Sequence, residues 1–298
     1  MDGSNWWLEA IEVPEAWEHN NEFSEITIGV VDNGFDTSHE DLSISFPEDF
    51  NKLNNKADHG SHVAGIIGAE ENNNKGITGI VWNSRLLCFD WKPTWLQAKV
   101  HKNWSVDTMI YAGLIYLVHD GAKVINFSIG YSGNYPNGNT FSQTVNDTQG
   151  RTASGYLAVL LKDYDFVVVQ SAGNGGVDAI HNGMFASITN NNCVQWGQGR
   201  ASVQGILDRL LIVAAVEQSN NTQSGYMVSY FYCGGNQVNI ATPGGNGSKR
   251  NDQDIYSTIT GGWHGSYGAM VGTSMAAPMV TGVASLVWST DNALTEQM

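Results

Sequence analysis

The chain has 298 residues, of which 42% are hydrophobic and 14% charged, and its 14 Lys and Arg face 29 Asp and Glu for a formal net charge of −15. That length suits one large domain or two small ones with a sizeable core, and the composition is globular rather than disordered. The acidic balance opposes binding to phosphate backbones, so nucleic acid is not an expected partner.

The N-terminal stretch MDGSNWWLEAIEVPEAWEHN is acidic and lacks a basic segment followed by an apolar core, so it does not read as a signal peptide. No apolar run reaches the ~18 to 20 residues of a membrane helix. The three cysteines, Cys88, Cys193 and Cys233, form no CxxC pair and allow one disulfide at most.

Along the chain, short apolar runs alternate with helical patterns. The runs 26–32, 85–91, 123–130, 166–174, 210–216 and 237–244 read as strands, because continuous Val/Ile-rich segments fit strands buried on both faces. Helices are expected at 61–69, 107–119, 152–163 and 273–289. The last opens at Thr273-Ser274 and carries Pro278 near its first turn, where a missing N–H costs little. Strand–helix alternation predicts an α/β fold in three layers, a parallel β-sheet with helices on both faces. In such sheets functional groups gather at the C-terminal ends of strands. The Gly/Asn-rich stretches 92–105, 131–151 and 175–206 are expected as long surface loops.

Four polar residues fall where that pattern places a site. Asp32 ends the first strand, His59 and Ser274 stand at helix entries, and Asn174 follows a strand in QSAGN. The chemistry that fits is acyl transfer. A serine hydroxyl needs an adjacent base, and His59 titrates in the range that a base requires. Asp32 can hold the imidazole tautomer and stabilise the imidazolium. Asn174 and the backbone N–H of Ser274 can donate to a developing oxyanion at a helix N-terminus.

The segments VVDNGFDTSHEDL, HGSHVAG, SAGN and GTSMAAP, in that order, resemble the four signatures of the subtilisin-like serine proteases. The order Asp, His, Ser separates this arrangement from chymotrypsin-like enzymes and α/β-hydrolases, and GTSMAAP is not GxSxG. Asn33 and Ser61 depart from the family's more usual residues, conservatively in size and polarity. The resemblance spans nearly the whole chain and implies a single subtilisin-like peptidase domain over 1–298, cut short at the C-terminus.

It further implies a serine endopeptidase acting on protein or peptide substrates with no cofactor required for the chemistry. The segments Ser128-Ile129-Gly130 and Ser171-Ala172-Gly173 are implied to form opposite walls of the specificity pocket. The family is mostly secreted, which implies a secreted or cell-surface location, and the resemblance implies that the sequence is cut from a longer protein at one or both ends, with a prosegment or flanking domains expected outside it. A structural Ca²⁺ site is implied at Asp41 and Asn73, with Asp2 at a further ligand position. The loop ENNNKGITG is one residue longer than usual, and a solvated Asn loop is the other reading of it.

Among the other histidines, His39, His62, His101, His119, His181 and His264 read as structural. Trp91, Trp95 and Trp104 either rim an extended cleft or sit in the core. Two other functions fit the same residues. One is a catalytically silent peptide-binding domain; the other is a peptide ligase or macrocyclase that sends the acyl-enzyme to an amine.

Overall fold

The computed structural model describes residues 6–19, 23–48, 57–92, 105–130, 143–174, 183–231, 237–247, 253–261 and 266–290. Two short helices open it, α1 (Trp6–Ala10) and α2 (Val13–Trp17). There follow β1 (Thr27–Asp32), β2 (Ile44–Ser45), α3 (His59–Gly68), β3 (Arg85–Asp90), α4 (Val106–His119) and β4 (Ala122–Phe127). Next come α5 (Gln143–Leu160), β5 (Val167–Ser171), a short α6 (Val203–Leu207), β6 (Leu210–Gln218), β7 (Tyr226–Val228) and β8 (Ile240–Pro243). A hairpin of β9 (Ile255–Ile259) and β10 (Ser266–Met270) precedes the long α7 (Thr273–Thr290).

The main sheet runs β2-β3-β1-β4-β5-β6-β7, with β8 also paired to β6. Its pairs are parallel apart from β6–β7. Alternation along each strand divides the apolar side chains between two layers. Ile28 and Val30 of β1, with Leu86 and Cys88 of β3, join the core shared with α3 and α7. Val31, Leu87, Phe89, Ile125 and Phe127 join the opposite core, shared with α4 and α5. Val124, Val169 and Val213 pack with Ala276, Ala277 and Val280 of α7. Both faces are therefore covered, which is why these strands are continuous apolar runs rather than alternating ones. The α/β three-layer expectation holds, with one antiparallel edge strand and a separate hairpin added.

Three expectations need correction. Helix α5 begins at Gln143, so the stretch 131–151 is not all loop; its first half is too polar to show an apolar stripe. The stretch 175–206 contains α6 and the buried residues Met184, Phe185, Ala186 and Ile188, which fill the core beside α4 and α5. Pro278 lies inside α7 rather than in its first turn. It cannot donate to the Ser274 carbonyl four residues back. That carbonyl instead accepts the Ser128 hydroxyl at 2.9 Å. A potential flaw in the helix thereby becomes a tie between α7 and the end of β4.

Candidate active site

The site forms where β1, β4 and β5 end and where α3 and α7 begin. Asp32 is the last residue of β1 and is fully buried. The loop after it turns at Gly34, whose φ of +80° and close approach to the Ala57 carbonyl exclude a side chain. The same loop caps α3, since Asn33 O accepts Gly60 N–H at 2.9 Å and Gly34 O accepts Ser61 N–H at 2.9 Å. These are two of the orphan N–H groups of a helix start. Capping α3 this way brings its first residue, His59, against Asp32.

His59 Nδ1 donates to Asp32 Oδ1 at 2.7 Å, and Asn33 N–H donates to the same oxygen at 2.7 Å. The bond fixes the tautomer and leaves Nε2 with its lone pair free. The His59 side chain is about one-third exposed while Asp32 is sealed. Burial pulls the His59 pKa down, but the Asp32 charge and hydrogen bond outweigh it, and the net shift is upward from the ordinary value of 6.5.

The second half of the site is built on α7. Ser274 lies in the first turn of α7, with its Oγ donating to the Ser128 carbonyl at 3.2 Å. Residue 128 follows β4, whose Phe127 is paired beside Val31 of β1, so the Ser274 and Asp32 pairs stand on neighbouring strand ends. Among the described residues, Ser274 Oγ makes no hydrogen bond to His59. Asn174 lies just beyond β5. Its Oδ1 accepts from the Thr273 N–H at 2.9 Å and from the Thr273 hydroxyl at 3.0 Å. The Thr273 Oγ1 in turn accepts Gly173 N–H at 3.1 Å. With its oxygen held, Asn174 turns its amide nitrogen away from Thr273.

The residues expected to wall the pocket also converge. Ser128 is buried and accepts Asn126 Nδ2 at 2.9 Å, while Gly130 forms an antiparallel bridge with Gly183. Ser171 and Ala172 are buried at the end of β5. Residues 175–182 lie outside the described residues, as do Asp2, Trp95, Trp104, His101, His181 and His264. Trp91 is half-buried and packs against the core of α4 and α5.

Asp41 and Asn73 are brought together, but as a hydrogen-bonded pair. Asn73 Nδ2 donates to Asp41 Oδ1 at 2.7 Å, and Asp41 Oδ2 accepts Ile77 N–H at 3.1 Å and the Tyr267 hydroxyl at 3.2 Å. Asn73 Oδ1 is taken up by Lys75 N–H at 2.9 Å. A calcium ion needs oxygens facing it; here donors face the carboxylate, and this arrangement does not fit the cation. Among the described residues no cluster of three or more His, Cys, Asp or Glu could hold a metal. His62 is structural, with Nε2 donating to the carbonyls of Ile255 at 2.9 Å and Gly268 at 3.1 Å.

Two residues went unread in the sequence. Thr273 looks like an ordinary helix-start residue until its partner Asn174, 99 positions away, is placed. Asp90 ends β3 beside Asp32 in parallel register and accepts Gly34 N–H at 3.0 Å. It thus braces the turn between Asp32 and α3. The signal available was two apolar strands, both ending in aspartate.

The fold thus brings a buried Asp–His pair and a helix-start serine to neighbouring strand ends of a mostly parallel α/β sheet. Residues 24–298 match the model of the Subtilase family, and the chain belongs to that family. It is 30% identical over 280 residues to a thermophilic serine proteinase of Bacillus sp. (strain AK1), covering 92% of this chain and 55% of that protein. It is 28% identical over 290 residues to a subtilisin of Bacillus pumilus, covering 95% of this chain and 83% of the relative. Among solved structures, fervidolysin from Fervidobacterium pennivorans superposes with a TM-score of 0.64 at 26% identity, over 95% of this chain and 39% of that one. The chain thus spans little more than half of the first of these relatives. Among the described residues no helix is long and apolar enough to cross a membrane.

Proposed function

We propose that the chain is a serine endopeptidase, a single peptidase domain that cleaves peptide bonds through a Ser274 acyl-enzyme. The observation that carries this reading is the 2.7 Å bond from His59 to the buried Asp32, on strand ends adjoining Ser274. His59 Nε2 takes the Ser274 proton as the hydroxyl attacks, and the Asp32 charge stabilises the imidazolium. The new oxyanion is met by Asn174 Nδ2 and the Ser274 N–H, the latter in the first turn of α7 where no carbonyl precedes it. His59 then protonates the leaving amine, and water completes the cycle. The segments 128–130 and 171–173 line the pocket for the side chain before the cleaved bond. No cofactor enters these steps. The family resemblance supports a secreted or cell-surface site of action.

One observation favours a silent peptide-binding domain: the Ser274 hydroxyl bonds to Ser128 rather than to His59. Serine exchanges between staggered χ1 wells at little cost, and bonds to a catalytic base often tighten only with substrate bound. Casein hydrolysis and fluorophosphonate labelling decide the matter. Both are expected in the wild type and absent in Ser274→Ala. Labelling that survives in the mutant would refute the assignment, and product mass spectrometry separates hydrolysis from ligation.

A further inference from the structure

Gln170 is a fully buried glutamine in β5, directly after three consecutive valines. A buried amide is costly unless its groups are all paired, and here they are. Its Nε2 donates into a ring of acceptors: Phe127 O at 3.0 Å, Ile129 O at 2.9 Å, Ser171 O at 2.9 Å and Ser171 Oγ at 3.3 Å. Its Oε1 accepts Phe185 N–H at 3.2 Å. This polarity is enforced, because a flipped amide would set an oxygen against three carbonyls.

The partners belong to three separate segments. Phe127 leads into one proposed pocket wall and Ile129 belongs to it, Ser171 belongs to the other, and Phe185 lies two residues after Gly183. The β4–β5 ladder ends at the Phe127–Gln170 pair. Beyond that point the side-chain amide takes the place of ladder bonds at Ile129. Gly183 presses on the same group, since a Cβ there would come within 2.4 Å of Ser171 O and 2.8 Å of Gln170 Nε2. Gly183 also bridges Gly130 of the first wall.

We propose that Gln170 is a positioning residue for substrate selection, whose side-chain amide staples the 127–129 segment, Ser171 and Phe185 together and so fixes the width of the pocket between the walls. This rests on the endopeptidase reading, with 128–130 and 171–173 as walls. Gln170 touches no reacting atom. It acts by holding carbonyls that the strand ladder no longer reaches.

The test uses Gln170→Met, which keeps length and volume but removes every donor. Peptide p-nitroanilides that differ only in the residue before the cleaved bond (Gly, Ala, Leu, Phe) report the pocket. Methanesulfonyl fluoride, too small to meet the walls, reports the nucleophile. With the staple gone, kcat/KM for Phe is expected to fall about tenfold relative to Ala, mostly through KM, as for loss of one to two buried hydrogen bonds. The labelling rate should stay within about twofold, since uniform loss of catalysis is not expected from a binding defect. An unchanged ranking, or an equal loss on all four substrates, would overturn the proposal. Gln170→Asn, too short to span the segments, is the second variant and should shift the ranking likewise. Failure of both variants to fold would make Gln170 a folding residue and also overturn it. A wild type that neither cleaves nor labels would remove the endopeptidase reading itself, and this proposal with it.

Discussion

Thr273 holds Asn174 by two bonds to one atom, its N–H at 2.9 Å and its hydroxyl at 3.0 Å from Asn174 Oδ1. The residue before Ser274 therefore orients the side chain proposed to receive the oxyanion. Asn174→Leu should lower kcat by ~10²–10³-fold with little change in KM, the range seen when a subtilisin loses such a donor. Thr273→Val removes the hydroxyl that donates to Asn174 and accepts Gly173 N–H, and should cost about tenfold to a hundredfold, since two neutral hydrogen bonds are lost. Steady-state kinetics on one peptide substrate read both. A loss under twofold in Asn174→Leu would mean the oxyanion is bound elsewhere.

The Asp32–His59 pair should set the acid limb of activity if His59 is the base proposed above. Burial lowers the His59 pKa, but the Asp32 charge and bond raise it further, so the net shift is upward. Protonated His59 is no base, so kcat/KM should fall as pH drops through that raised value. Asp32→Asn removes the charge that stabilises the imidazolium. Its acid limb should move to lower pH while kcat falls by ~10⁴-fold at neutral pH, from loss of the tautomer and of the charge. A pH–rate profile in which the limb stays put would show that Asp32 does not control His59.

These two pairs show what the sequence could and could not disclose. Strands such as β1 and β3 were readable because burial on both faces demands unbroken apolar runs. Asp32, His59, Asn174 and Ser274 stood out because each is a polar residue within two positions of a glycine, at the end of a strand run or the start of a helix pattern. Thr273, Gln170 and Asp90 did not, because their roles depend on partners 99, 41 and 56 residues away, and nothing local encodes those contacts. The hairpin β9–β10 was missed for a related reason: it is stabilised by α3, where Ser257 and Thr258 hydroxyls donate to the His62 and Ser61 carbonyls at 2.7 Å.

Asp41 supplies a test of calcium dependence. Its two oxygens already accept from Asn73, Ile77 and Tyr267. EDTA should therefore leave Tm within about 2 °C, roughly the shift that 1 kcal/mol produces in a domain this size. Tyr267→Phe should instead lower stability by ~1–3 kcal/mol, because a charged acceptor loses a donor. A drop of 10 °C with EDTA, reversed by added Ca²⁺ and lost in Asp41→Asn, would show that the Asp41–Asn73 pair opens to a bound ion.

His62 and Asp90 should oppose each other in the pH dependence of stability. Burial is the main cause that lowers the His62 pKa from 6.5 to about 3, so below pH 6.5 the unfolded chain takes a proton that the folded one refuses. Its contribution is present above 6.5 and is lost as pH falls toward 3. Asp90 runs the other way. Burial chiefly raises its pKa from 3.8 to about 6, with the Asp32 charge adding to the rise, so the folded state takes the proton first. Its contribution is full below 3.8 and is lost as pH rises through 6. Between about pH 4 and 6 the two slopes, each up to about 1.4 kcal/mol per pH unit, offset one another. Relative to wild type, His62→Gln should lose stability as pH rises across that window, and Asp90→Asn should lose it as pH falls. Urea unfolding at half-unit pH steps measures both differences. Parallel curves for wild type and His62→Gln would show that the His62 imidazole takes up its proton equally in the folded and unfolded chain.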